Sequence, residues 1–261
     1  MTDREDEKFS VLLTRPRQQA GPLAAAIEAA NGHVVPFPVM AIEPRNAAEI
    51  AAKLATLPPA DVVIFVSPNA VQHGLAALAG AARIGAIGSA TAAALKAAGH
   101  AADIFPKSGF TSEALLQEQD LQEVAGKRIR IVRGDGGREL LAATLKSRGA
   151  TVDYLTAYRR RRYSATSAEL VELESLWRTR PVDYVIVMSI ESLEFLLELL
   201  PGWCRQALGA AALVTPSARV LKTAQESIPD TRTLLADSPD SKDLVAAMLA
   251  DQQALTDKSH E

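Results

Sequence analysis

Cysteine is nearly absent from this sequence: Cys204 stands alone among 261 residues. No intramolecular disulfide can form, and no cysteine-based zinc site can be built. The four histidines, His33, His73, His100 and His260, lie far apart, without the close pairings that metal ligands use. Aromatic residues supply only 5% of the chain, so a core has to rest on Val, Ile and Leu. No run approaches the ~18 apolar residues of a membrane span. Met1–Lys8 is charged throughout, with no apolar stretch of signal type behind it. A cytoplasmic protein with no metal site is therefore expected. Also missing are a Gly-x-Ser-x-Gly elbow, a P-loop, the spaced glycines of dinucleotide-binding folds, a Cys/His arrangement and an evident carboxylate pair. No nucleotide cofactor is expected. The net charge of −3 and pI near 5.9 argue against a nucleic-acid partner. Arg159–Arg162 is a local exception, compatible with an anionic small molecule and equally with a solvated strand edge.

What is present is an alternation of β-branched runs with alanine- and leucine-rich stretches, the pattern of parallel sheets with crossover helices. Strands are expected at 11–13, 62–66, 129–132 and 184–188, with weaker ones at 84–87, 103–105, 212–214 and 233–235. Helices are expected near 17–30, 46–56, 69–79, 90–98, 112–119, 137–148, 167–178, 191–200, 217–227 and 241–250, the polar tail beyond Ala250 being left mobile. Asn46 with Glu49 resembles a capping box, and Ser67-Pro68 reads as an N-cap followed by proline at the first helical position.

The chain also repeats itself. Asp61–Ser67 (DVVIFVS) resembles Asp183–Ser189 (DYVIVMS), 122 residues later. Ala86–Leu95 aligns with Ala212–Leu221, Thr111–Leu115 with Asp240–Leu244, and Leu23–Val35 with Leu140–Val152. A duplicated β/α unit explains all four pairs in their common order. A tandem repeat would place its linker near 120–127, yet that stretch is short and has one glycine. Val34–Arg45 and Thr151–Tyr163 are instead unusually long, and if both bridge two lobes, each lobe takes pieces from both halves.

In open parallel sheets ligands sit beyond the C-terminal ends of the strands, where helix N-termini favour anions. Those positions carry Thr14-Arg15-Pro16, Ser67-Pro68-Asn69, Gly88-Ser89-Ala90-Thr91, Arg133 through Arg138, Ser189 and Thr215-Pro216-Ser217. Each hydroxyl reads equally as a plain N-cap. Arg15 and Arg133 either pair with carboxylates or face solvent, the Gly134–Gly137 turn could cradle an anionic group, and Tyr158 reads as site or core.

Taken together, Leu13-Thr14-Arg15-Pro16, Phe65 through Val71, Ile87 through Ala92, Val132-Arg133-Gly134, Ala157-Tyr158 and the second-half hydroxyls resemble the uroporphyrinogen-III synthase family from about Val11 to Ala250. The resemblance implies two flavodoxin-like parallel-sheet domains joined by a two-stranded β-ladder hinge. It places one discontinuous domain at 1–37 and 164–261 and the other at 38–163, with hinge segments near 36–45 and 155–163 and the working site in the cleft. It implies a cofactor-free lyase of tetrapyrrole and heme biosynthesis. Hydroxymethylbilane loses its terminal hydroxyl to give an azafulvene, the last pyrrole ring inverts through a spiro intermediate, and the chain closes as uroporphyrinogen III. By position Tyr158 would assist departure of the hydroxyl. Arg15, Ser67, Asn69, Gly88, Thr91, Arg133, Gly134, Ser189 and Ser217 would bind substrate. Ser217 stands where the family usually has threonine. A monomer is implied, with transient hand-over of substrate from hydroxymethylbilane synthase. The rival reading is a non-catalytic small-molecule-binding or regulatory protein of the same fold.

Overall fold

A computed structural model describes residues 8–109, 111–137, 139–229 and 231–259. The charged N-terminal residues Met1–Glu7, Phe110, Arg138, Asp230, His260 and Glu261 lie outside them. The strands, in chain order, are β1 (Phe9–Leu13), β2 (Gly32–Pro36), β3 (Met40–Pro44), β4 (Val62–Phe65), β5 (Arg83–Ala86), β6 (Arg128–Gly134), β7 (Thr151–Arg162), β8 (Tyr184–Ile186), β9 (Ala212–Thr215) and β10 (Arg232–Leu235). The chain divides into two compact units, 1–41 with 161–261 (unit 1) and 42–160 (unit 2).

Unit 1 holds a sheet in the order β10-β9-β8-β1-β2, in which adjacent strands run parallel. Its strands are apolar on both faces because both are covered. Leu12, Val185 and Leu213 pack with Leu173, Trp177, Leu193 and Leu196 on one side. Their neighbours Val11, Leu13, Tyr184, Ile186, Ala212 and Val214 pack with Leu23, Ile27, Leu244 and Met248 on the other. The two-residue period of a strand thus sends alternate residues into separate cores, which is why the runs read as continuously hydrophobic.

Unit 2 is built the same way, with its sheet in the order β3-β7-β6-β4-β5. Val63, Phe65, Val132, Leu155 and Ala157 enter one core, and Val62, Ile64, Ile129 and Ile131 enter the other. β7-β6-β4-β5 run parallel. The chain passes between units within β3 and within β7. In unit 1 Tyr163 N–H donates to the Val39 carbonyl (2.8 Å), and in unit 2 Arg45 N–H donates to the Ala157 carbonyl (2.9 Å). One index rises as the other falls, so β3 and β7 are antiparallel.

The repeat is realised atom for atom at the strand starts. The Asp183 carboxylate accepts from Ser10 N–H at 2.7 Å, and Asp61 accepts from Arg128 N–H at 2.7 Å. Each aspartate thereby ties the start of its own strand, β8 or β4, to the adjacent strand, β1 or β6.

Several sequence expectations are corrected. The helix near 112–119 shortens to Ser112–Leu115, and the strand at 103–105 is a single bridge between Ile104 and Gly85. The 120–127 stretch, already too short for the linker of a tandem repeat, buries Leu121 and Val124 in the core with Ile129. A short helix at Gly202–Ala207, hidden behind the Leu200-Pro201-Gly202 break, was not anticipated. Asn46 caps its helix through Ala48 N–H, while a full capping box forms at Thr166 and Glu169. The last helix spans Ser241–Ser259 rather than fraying after Ala250. Asp251 explains the extension: it accepts from Arg232 at 2.7 and 2.8 Å and from the Tyr184 hydroxyl at 3.0 Å. Among the described residues no helix is long and apolar enough to cross a membrane.

Candidate functional site

Unit 2 contains a cavity of about 370 Å³ at the C-terminal ends of β4 and β6, lined by Ser67, Thr111, Arg133, Gly134, Tyr158 and Arg160 among others. Ser67 is placed there because it follows β4 and caps the helix Pro68–Gly74, its Oγ accepting from Ala70 N–H at 3.0 Å. Pro68 at the first helical position has no N–H to satisfy, which suits it to that place. The Tyr158 hydroxyl lies 3.0 Å from Ser67 Oγ, and the tyrosine is only 6% exposed. Its ring centroid lies 6.2 Å from that of His73, whose pKa burial pulls below the usual histidine value.

Tyr158 reaches this position through a register break. Arg133 faces Thr156 across β6 and β7, but Gly134 faces Tyr158, so one residue of β7 is extra. A bulge of this kind re-aims the side chain beside it.

Arg133 is 8% exposed and is held on several sides. Its Nε donates to the Gly136 carbonyl at 3.0 Å and its Nη1 to Glu139 Oε1 at 2.9 Å. Its guanidinium carbon lies 4.8 Å over the Tyr154 ring, within cation–π range. The Tyr154 hydroxyl donates to Glu139 Oε2 at 2.5 Å. That hydroxyl, and then Arg133, hold the Glu139 carboxyl below its ordinary pKa. Burial first, and the Glu139 bond second, push the Tyr154 phenol up. Beside them Arg160 N–H donates to Asp135 Oδ1 at 2.9 Å, fixing the turn that carries Gly136.

The sequence-predicted residues are therefore partly gathered. Ser67, Arg133, Gly134 and Tyr158 share the cavity, with Asn69 in the first turn of the helix that Ser67 caps. Gly88 and Thr91 are buried at the start of the helix Ser89–Ala97 and do not line it. Arg15, Ser189 and Ser217 belong to unit 1, at the ends of β1, β8 and β9. Ser189 Oγ accepts from Ser192 N–H at 3.1 Å, and Ser217 Oγ accepts from Val220 N–H at 3.5 Å. Arg15 Nη2 donates to the Pro239 carbonyl at 3.1 Å; burial lowers its pKa, opposed by Asp240. Sequence reasoning missed Tyr154, Glu139 and Thr111. Only the start signal at Thr111 was visible, since it caps through Ala114 N–H.

Comparison with known proteins gives a consistent result. Residues 21–246 match the family model described as "Uroporphyrinogen-III synthase HemD". A uroporphyrinogen-III synthase of Salmonella typhimurium is 36% identical over 227 residues, covering 84% of this chain and 91% of that protein. One from Escherichia coli is 34% identical over the same length and coverage. Among solved structures, a uroporphyrinogen III synthase mutant from Thermus thermophilus superposes with TM-score 0.57 at 22% identity, covering 95% of this chain and 99% of that one. A uroporphyrinogen-III synthetase from Helicobacter pylori superposes with TM-score 0.63 at 14% identity, covering 93% and 99%. Both structures share the mixed α/β fold.

Proposed function

The chain belongs to the uroporphyrinogen-III synthase family, and from that premise we propose that it closes linear hydroxymethylbilane to uroporphyrinogen III, releasing water as a lyase. The observation that carries the assignment to residues is the Tyr158–Ser67 contact at a polar, arginine-bearing cavity. The substrate supplies its own reactivity, so the protein's task is to orient it and to stabilise developing charge.

Tyr158 donates a hydrogen bond to the terminal hydroxyl as the C–O bond breaks. Arg133, kept rigid by Gly136, Glu139 and Tyr154, attracts a substrate carboxylate. Hydroxyl-capped helix starts at Ser189 and Ser217 supply further donors within unit 1. Strand order supports the reading of two flavodoxin-like domains. The sheet of unit 1 has the flavodoxin order 2-1-3-4-5 when its strands are numbered along the chain. β7-β6-β4-β5 with the Ile104 bridge repeats that order when counted from β6. The antiparallel β3–β7 pair is then the ladder along which the chain passes from one unit to the other. Nothing observed favours the non-catalytic alternative.

The test is to supply hydroxymethylbilane from a coupled deaminase and to separate the oxidised products. Predominantly type III isomer is expected. Only type I product, under conditions where a known synthase yields type III, refutes the assignment.

A further inference from the structure

Three features distinguish one copy of the duplicated frame from the other. β6 and β7 lose register at Arg133/Gly134, whereas β1 and β2, the matching pair in unit 1, keep unbroken register from Phe9–Gly32 to Leu13–Pro36. Residue 134 is glycine, and a β-carbon there would lie 2.7 Å from the Tyr158 ring. Ser67 meets the Tyr158 phenol at 3.0 Å, whereas its repeat-mate Ser189 meets the Ser192 hydroxyl of its own helix at 2.5 Å. Capping a helix requires none of this, since Ser189 and Ser217 cap theirs without a tyrosine. The bulge, the glycine and the contact all serve to bring one phenol to one serine.

We infer that Ser67 is a positioning residue that acts through Tyr158 rather than a carboxylate-binding hydroxyl in its own right. Ala70 N–H occupies one lone pair of Ser67 Oγ. The serine O–H then donates to Tyr158 Oη, and the tyrosine O–H is left to donate into the cavity. Each bond in such a chain polarises the next. In the step it serves, the C–O bond of the terminal hydroxymethyl group breaks and the electron pair leaves with oxygen. The Tyr158 proton goes to that oxygen to release water; ring π electrons form the exocyclic C=C bond to the methylene carbon, and the pyrrole nitrogen lone pair forms the ring C=N bond. Ser67 O–H meets the negative charge left on Oη until the proton shed on ring closure restores the phenol. The inference rests on the role proposed for Tyr158.

A double-mutant cycle with coupled turnover tests it. Tyr158→Phe alone is expected to lower kcat; an unchanged kcat would remove the proposed role of the phenol, and the relay with it. Ser67→Ala is expected to lower kcat roughly tenfold, the size of a hydrogen bond to a charged group, with KM within about twofold because no substrate contact is lost. Ser67→Thr, which keeps both the hydroxyl and the cap, is expected to restore most of the loss. Placed on the Tyr158→Phe background, Ser67→Ala is expected to cost nothing further. A full additional loss on that background, or a rise in KM with kcat intact, overturns the relay while leaving the role of Tyr158 standing. Circular dichroism melts of each variant separate these outcomes from loss of the helix cap.

Discussion

A β-carbon on Gly134 would stand 2.7 Å from Tyr158 Cε2 and 2.8 Å from Cζ, so the ring rests on bare backbone. The two residues face each other across β6 and β7 at the register break, and the hydroxyl of the ring reaches Ser67. The glycine is needed here for space rather than for an unusual backbone angle. Gly134→Ala is expected to force the ring away, costing about 1–3 kcal/mol of stability by overpacking and lowering turnover through the displaced phenol. Chemical denaturation measures the first effect and coupled turnover the second. A variant with wild-type turnover would show that the ring has room to shift.

Acid should loosen unit 1 in a defined window. Glu169 accepts from Thr166 N–H (2.8 Å), the Tyr163 hydroxyl (2.9 Å) and the Thr166 hydroxyl (3.0 Å), and it pairs with Arg17 at 2.7 Å. The backbone bond, then the Tyr163 and Thr166 hydroxyls, pull its pKa from 4.5 down to about 2. A depressed carboxylate pKa stabilises the fold above the unfolded value, and the contribution fades as pH falls through the folded value. The stability gap between the wild type and Glu169→Gln should therefore be full above pH 4.5 and shrink towards pH 2. Denaturant midpoints across that range measure it, and a gap that stays constant would contradict the assignment. Salt should matter little, because most of the shift comes from hydrogen bonds rather than from the exposed Arg17 pair.

The C-terminal helix should be structural beyond Ala250. Asp251 joins Arg232 on β10 to the Tyr184 hydroxyl on β8, and Tyr184 also donates to the Met248 carbonyl at 3.2 Å. Burial, followed by the Asp251 bond, pushes the Tyr184 phenol well above its ordinary pKa. Asp251→Ala is expected to cost about 1–3 kcal/mol, because it strips a partner from a buried phenol. Ending the chain at Ala250 should cost at least as much. Thermal melts of the two variants decide this, and wild-type stability in the truncated chain would return the segment to the status of a passive tail.

Much of this protein is legible in its sequence. Asp61-Val-Val-Ile-Phe-Val-Ser67 and Asp183-Tyr-Val-Ile-Val-Met-Ser189 announce a duplicated strand-and-helix unit, each with an aspartate at the start and a serine cap at the end. The same runs, apolar at nearly every position, signal sheets covered on both faces. Caps, turns and strands answer to residues within a few positions of one another, so local chemistry suffices to read them.

The site is another matter. Ser67 and Tyr158 are 91 residues apart in sequence and meet only because β4 and β7 flank β6. Tyr154 and Glu139 close around Arg133 for the same reason, since β7 lies beside β6 and Glu139 follows it by one turn. Which strand lies beside which is set by how apolar faces are covered across the whole chain, and no local period encodes it. The single slipped residue at Arg133/Gly134 is likewise a product of pairing, invisible in either strand alone. The sequence by itself determined the repeating units and their caps. Only the tertiary structure decided that one of the two repeated serines would meet a phenol, because that meeting depends on long-range strand order and on one bulge.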